Sequence, residues 1–350
     1  MSQLKFSEAE LYAEHDYVRL QECNGQRLHG GFDAADRYLP PRSRLRNVAI
    51  DAWTQSLIRR GGHLFDANAS LLTGPRMPNV AQQCLLIREG LGQSFWNTLT
   101  ITGKIEARGR VLAEMEFPEL QEIIDEDISS MALGHLNRGM LSTHGLDEGG
   151  QPEKGIGGHD VMWFVARDLA FGAVDYPDVE PPENIARPEA GQRWMPDLPE
   201  AFEGMLSFLM NLLMIEFRAE RGFADTQAVL RTPDLFPDRR PQAEEAADIV
   251  ERIRTDEEIH VRSLRLYLGE LSAVHLKTVD GGSRPGHEII EPFWQGLVRW
   301  ATEEQPVLAA QVQYPLLRER ILKHPQGERI LRTFNELSDP GTRQFLQGVD

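Results

Sequence analysis

One acidic pattern occurs twice in this chain, and it constrains the fold more than any other feature. Leu85-Leu86-Ile87-Arg88-Glu89 is echoed by Leu212-Leu213-Met214-Ile215-Glu216. Asp125-Glu126-Asp127-Ile128-Ser129 is echoed by Asp256-Glu257-Glu258-Ile259-His260. Glu126 follows Glu89 by 37 positions, and Glu257 follows Glu216 by 41. An acid within an apolar run is costly to bury alone. Four at matched spacing imply a shared positive partner, and a metal centre is the direct candidate.

Helical periodicity places these acids on elements. Pro78 suits a first helical turn, and Leu85, Glu89, Gly92 and Trp96 then share one face of a helix predicted over 78–105. A second helix is expected over 117–140, with Leu120, Ile123, Glu126, Ser130 and Leu133 facing inward. The stretch 145–197 reads as a crossover: a glycine-rich loop, one helix over 161–172, then a segment with six prolines between 175 and 199. Two further long helices are predicted over 199–230 and 243–275, separated by a break at Pro233–Pro241. A shorter helical pattern occupies 45–66, and more helical segments cover 288–336. No run reads as a strand. The expected fold is all-α: one domain over 1–350, with an N-terminal arm and helix (1–77), a four-helix bundle with one long crossover (78–275), and C-terminal helices (276–350).

Carboxylate oxygen and imidazole nitrogen suit iron and manganese. A dinuclear site in a helical bundle takes a single carboxylate from each of two helices and a Glu-x-x-His turn from each of the other two. Here Glu257-x-x-His260 is one such turn, and Glu216 is the single acid of that half. Glu89 and Glu126 hold the matching places in the first half. With these five residues the chain resembles the ferritin-like di-iron carboxylate superfamily over about residues 78–275. The resemblance implies metal ligation by Glu89, Glu126, Glu216, Glu257 and His260. It also implies two iron ions, with manganese or a mixed pair as alternatives. The activity it implies is that of an oxidoreductase of the monooxygenase kind, which uses dioxygen to hydroxylate, desaturate or N-oxygenate a small organic substrate. An electron-donor protein would be a partner, and a homodimer stays open.

The first half departs from that pattern, since Ser129 stands where a histidine is expected. His63, His135, His144 and His159 are the replacements to weigh. His135 is half a turn off the Glu126 face, whereas His159 sits in a glycine-rich loop able to fold back over a bundle. Water in the open position, one metal or no metal are the other resolutions. Glu220, one turn beyond Glu216, is an additional candidate, although its counterpart in the first half is Gln93. Trp96, Phe223 and Tyr267 read as core aromatics before they read as pocket walls.

Two other functions stay open: a non-catalytic ferritin-like metal-binding or stress protein, and an all-α scaffold with a degenerate metal site. No catalytic residue other than a metal ligand stands out. The chain carries no Gly-x-Ser-x-Gly elbow, phosphate-binding loop or dinucleotide fingerprint. A net charge of −17 disfavours nucleic acid and anionic membranes. Two cysteines, Cys23 and Cys84, cannot make a disulfide framework and fit a reducing cytosol. The N-terminus lacks a secretory leader pattern, and the most apolar window, 205–217, is too short and polar to span a bilayer. A cytoplasmic protein is expected.

Overall fold

The computed structural model describes residues 5–74, 76–188 and 191–342. These are mostly helical. The helices are α1 (Glu8–Leu11), α2 (Ser43–Arg59), α3 (Val80–Arg88), α4 (Gln93–Gly109), α5 (Leu141–Gly149), α6 (His159–Phe171), α7 (Glu200–Leu230), α8 (Arg240–Ala273), α9 (Gly286–Arg299), α10 (Gln305–Leu322) and α11 (Gly327–Glu336). None is long and apolar enough to cross a membrane.

The long helices follow from their sequences. α7 begins after Pro199 with Glu200 and Glu203 in its first turn, where acids offset the helix dipole. Its buried stripe includes Leu206, Leu209, Met210, Leu213 and Glu216. α8 carries Pro241 in its first turn and buries Val250, Ile253, Glu257, His260, Leu264 and Tyr267 along one side. α8 packs along α7 and α6, and α6 also packs on α4. The short α5 lies against α4 and α6.

The expected helix over 78–105 is two helices. α3 opens with an Asn79–Gln82 capping box and closes at Glu89, with Gly90 and Gly92 before α4. Leu85 and Leu86 pack with Tyr314, Leu317, Ile321, Ile330 and Phe334 of α10 and α11, in a small core of their own. The expected helix over 117–140 does not form. Its apolar residues Leu120, Ile123, Ile128 and Leu133 are buried, but on short 3-10 turns and irregular chain. Acidic and serine side chains there bond nearby backbone, as Asp127 does to the Ser129 amide at 2.9 Å, and so compete with helix formation.

The chain also contains strands, against the sequence reading. β1 (Arg19–Cys23) and β2 (Gln26–Phe32) form an antiparallel hairpin, β3 (Tyr38–Leu39) pairs antiparallel with β2, and β4 (Ile156–Gly157) pairs parallel with it. Asn24-Gly25, both at positive φ, make the tight turn. A second hairpin joins β5 (His275–Lys277) to β6 (Ser283–Pro285). The sheet lies against α6 and aims side chains at the interior between the long helices.

The main core gathers α2, the irregular 120–141 stretch, α7, α8 and α9. Trp53 of α2 is fully buried there, with the Phe6 ring edge-on at 5.2 Å and the His135 ring at 4.7 Å. Trp53→Ala should cost about 3–5 kcal/mol. A thermal melt should show a lower Tm, while metal content, measured on folded protein, stays at the wild-type value.

Candidate metal centre

Burial of charge decides the geometry between α4, α5, α6, α7 and α8. His144 and Glu148 are four residues apart on α5 and therefore share a face. His159 is the first residue of α6, Glu216 lies midway along α7, and Glu257 and His260 share a face of α8. Glu106 comes from the last turn of α4, with its side chain 11% exposed. The other six are buried.

These side chains form two donor groups: His144, Glu148, Glu216 and His260, and Glu106, Glu148, His159 and Glu257. Within each group one donor atom per residue lies within 4.8 Å of the others, and Glu148 belongs to both. Glu148 Oε1 is 3.2 Å from His260 Nδ1, 3.4 Å from His144 Nε2 and 3.7 Å from His159 Nδ1. His144 Nε2 is 3.2 Å from Glu216 Oε1, and His159 Nδ1 is 3.1 Å from Glu257 Oε1. The His144 and His260 rings stack at 3.8 Å.

The donor set fits a pair of hard-to-borderline divalent cations such as iron or manganese. Glu148 Oε1, Glu257 Oε1 and His159 Nδ1 are buried and make no hydrogen bond, although they crowd one another. Buried polar atoms normally find partners, so three orphans converging on one point mark a place built for something that accepts their lone pairs.

Two of the three inward-facing imidazoles are held from behind. Asp256 Oδ2 accepts from His159 Nε2 at 3.3 Å, leaving Nδ1 to face the cluster. Asp147 Oδ2 accepts from His260 Nε2 at 3.2 Å, again leaving Nδ1 inward. A carboxylate behind a metal-facing histidine fixes the tautomer and raises ligand basicity. Asp147 is fully buried between Arg42 and Arg46, with Arg46 Nη2 at 2.6 Å. Asp256 also accepts from His29 Nε2 at 3.1 Å and from the Tyr38 hydroxyl at 2.9 Å. Gly30, at positive φ, makes room for Tyr38, because a Cβ there would lie 2.5 Å from the Tyr38 hydroxyl.

In the metal-free chain, protons balance the charge. Burial, together with the neighbouring carboxylates Glu148 and Glu257, pushes the Glu106 and Glu216 carboxyls well up. Burial opposes ionisation of Glu257 too, as does Glu148, yet the His260 and His159 imidazoliums hold it down at about 2. His159 and His260 are in turn raised despite burial, chiefly by Glu257. The surroundings thus favour the charged form of His159 and His260 and the protonated form of Glu106 and Glu216.

The sequence-level candidates divide. Glu216, Glu257, His260 and the additional candidate His159 meet in this cluster. Glu89 does not: it caps α3 and pairs with Arg329 at 2.6 Å. Glu126 does not, because the loop that carries it turns to His275, whose Nδ1 lies 2.9 Å away. Glu220 pairs with Arg254 on the outer side of α7. His63 is exposed, and His135 bonds the Met131 carbonyl at 2.7 Å. Trp96 and Tyr267 are buried core residues, and Phe223 packs against Trp163 at 4.8 Å. Glu106 and Glu148 escaped the sequence reading, and His144 was only a replacement to weigh. The His144-x-x-x-Glu148 spacing was the available signal. The glycines that follow it made the segment read as loop.

No protein-family model, curated protein or solved structure matches this chain.

Two outcomes are expected. Asp256→Asn should keep the fold and weaken metal affinity by roughly 10–100-fold, read by competition against a chelator. Metal affinity should also rise steadily from pH 6 to pH 8. Glu106, Glu216, His159 and His260 have raised folded pKa values, so the stability they lend the metal-free chain is full below their unfolded values and fades as pH climbs through the folded ones. Metal binding must expel those protons, roughly four per pair of ions, and higher pH favours that. A flat affinity across that range, with no acidification of a weak buffer on loading, would contradict this charge balance.

Proposed function

We propose that this chain is a non-haem dinuclear metal oxidoreductase, with iron as the working metal and dioxygen as the oxidant of a small organic substrate. The observation that carries the reading is the pair of four-residue donor groups joined through Glu148. Four carboxylates and three imidazoles on five helices match the chemistry of a carboxylate-bridged pair of ions. The helical packing of α4, α6, α7 and α8 is in keeping with a ferritin-like bundle, with α5 adding donors beside it.

In this reading His144, Glu216 and His260 would hold one ion and Glu106, His159 and Glu257 the other, with Glu148 between them. When bound, such a pair supplies the electrons and Lewis acidity for dioxygen reduction. The protein's own contribution is orientation, charge and shelter. Asp256 and Asp147 hold His159 and His260 in one tautomer. Four carboxylates offset the charge of two divalent ions inside a medium that would otherwise oppose burying them. Arg42 and Arg46 keep Asp147 ionised, so His260 always has an acceptor behind it.

A cavity offers access to the centre. It measures about 790 Å³ and has Glu106, Glu148 and Glu216 in its lining, beside apolar side chains such as Phe208, Leu212 and Ile215. That volume is ample for a small organic molecule. The size of the cavity at the carboxylate edge favours a substrate-oxidising enzyme over a store for mineral.

Anaerobic loading of metal-free protein with ferrous iron should saturate near two ions per chain. Admitting oxygen should then cause iron-dependent oxygen consumption and a new optical spectrum. Glu257→Ala and His260→Ala should lose both, with circular dichroism unchanged. Uptake far beyond two ions would identify a store instead. Absence of any iron or manganese uptake after reconstitution would defeat the proposal.

A further inference from the structure

The cavity beside the carboxylates has an asymmetric wall. Along α7 its floor is the face carrying Phe208, Leu212, Ile215, Ala219 and Thr226, spaced at three and four residues. Glu216 flanks that face on the side of the metal centre. Arg218, two residues on and therefore about 200° round the helix, flanks it on the opposite side. The cavity thus runs from the carboxyl-bearing edge of the metal centre to a cationic edge, across about 10 Å, the width of a helix with its side chains.

The cations of that wall are not equivalent. Arg76 pairs with Asp225 at 3.1 Å. Arg221 donates to the Leu72 and Gly74 carbonyls, and Arg108 to the Pro182 and Glu183 carbonyls. Arg218 is half-buried and has neither an ion pair nor a hydrogen bond among the described residues. Its surroundings worsen the imbalance. Arg76 and Arg221, which carry the same charge, line the same cavity. A partly desolvated guanidinium beside two like charges lacks an anion. Of the acids in the lining, Asp225 is held by Arg76; Glu106, Glu148 and Glu216 belong to the proposed metal centre; and Glu183 is exposed and forms no ion pair with Arg218.

We propose that the cavity binds a small organic acid, its carboxylate gripped by Arg218 and its apolar body lying across the α7 face toward Glu216. This rests on the dinuclear reading for what happens at the far end, but the grip itself does not need the metal. A planar fork of donors matches a carboxylate in two parallel hydrogen bonds, which a neutral amide of the same shape cannot equal.

Octanoate and octanamide, matched in shape, are the probes, titrated calorimetrically into full-length, chelator-treated protein. Octanoate should bind at least about tenfold more tightly than octanamide. Arg218→Gln should abolish that preference, Arg218→Lys should restore part of it, and Arg108→Gln should leave it intact, all with wild-type melting curves. Equal binding of the two probes, no binding of either, or a preference that survives Arg218→Gln would overturn the proposal. Because the titrations use metal-free protein, the two readings fail separately. A chain that takes up no metal yet prefers octanoate through Arg218 keeps the acid pocket and loses the dinuclear centre. A chain that loads two ions but shows no preference does the reverse.

Discussion

Glu148 meets three imidazoles, and the architecture around it depends on that meeting. A single buried carboxylate oxygen lies between 3.2 and 3.7 Å from ring nitrogens of His144, His159 and His260. Such crowding is unfavourable unless charge is matched closely, since isolated buried ions cost several kcal/mol each. Protons match it in the metal-free chain, where Glu106 and Glu216 stay neutral and His159 and His260 are charged. Divalent cations would match it with the same four carboxylates fully ionised. Protons and divalent cations are thus two alternative ways of offsetting the same buried carboxylates.

The parts of the chain outside the long helices exist in large measure to hold the imidazoles. The strands β2 and β3 supply His29 and Tyr38, and α2 with the turn before it supplies Arg46 and Arg42. His29, His159 and Asp256 form a third donor group with the spacing of a cation site. Its hydrogen bonds argue for a different use. Asp256 Oδ2 already accepts from His29, Tyr38 and His159, so a cation there would have to displace those donors. His159 can point Nδ1 at the centre only while Nε2 keeps its bond to Asp256. The group anchors the ligand, and the sheet carries that anchor.

The legible part of the sequence was the half with regular helices. Glu216 and the Glu257-x-x-His260 turn stand on α7 and α8, where unbroken periodicity made the inward face readable. The other half kept the apolar pattern without the helix that the pattern implied. Leu85 and Leu86 are buried as expected, but against α10 and α11, which leaves Glu89 to Arg329 at the surface. Ile123 and Ile128 are buried on irregular chain, so burial there says nothing about which way Glu126 faces. The echo that suggested four acids is an echo of packing in one half and of chemistry in the other. The strands were missed because β3 to β6 have only two or three residues each, and β1 and β2 carry no β-branched residue and hold Arg, Gln, Glu, His and Gly instead; Asn24-Gly25 was their clearest signal.

The position of Glu148 also sets how the centre can meet a substrate. Glu106, Glu148 and Glu216 line the cavity, whereas Glu257 and the three histidines do not. Behind His159 and His260 stand Asp256 and Asp147, themselves held by His29, Tyr38, Arg42 and Arg46, so these two rings are fixed by two layers of hydrogen bonds. The carboxylate side has no such backing and opens onto free volume. Carboxylates can change between one- and two-oxygen binding with little motion, while an imidazole pinned through its second nitrogen cannot. In the proposed reading, His159 and His260 would hold the ions rigidly from the back, while Glu106, Glu148 and Glu216 at the cavity would be the donors free to adjust toward a bound molecule. That asymmetry is what would, in the proposed reading, favour a reaction site over a simple ion store.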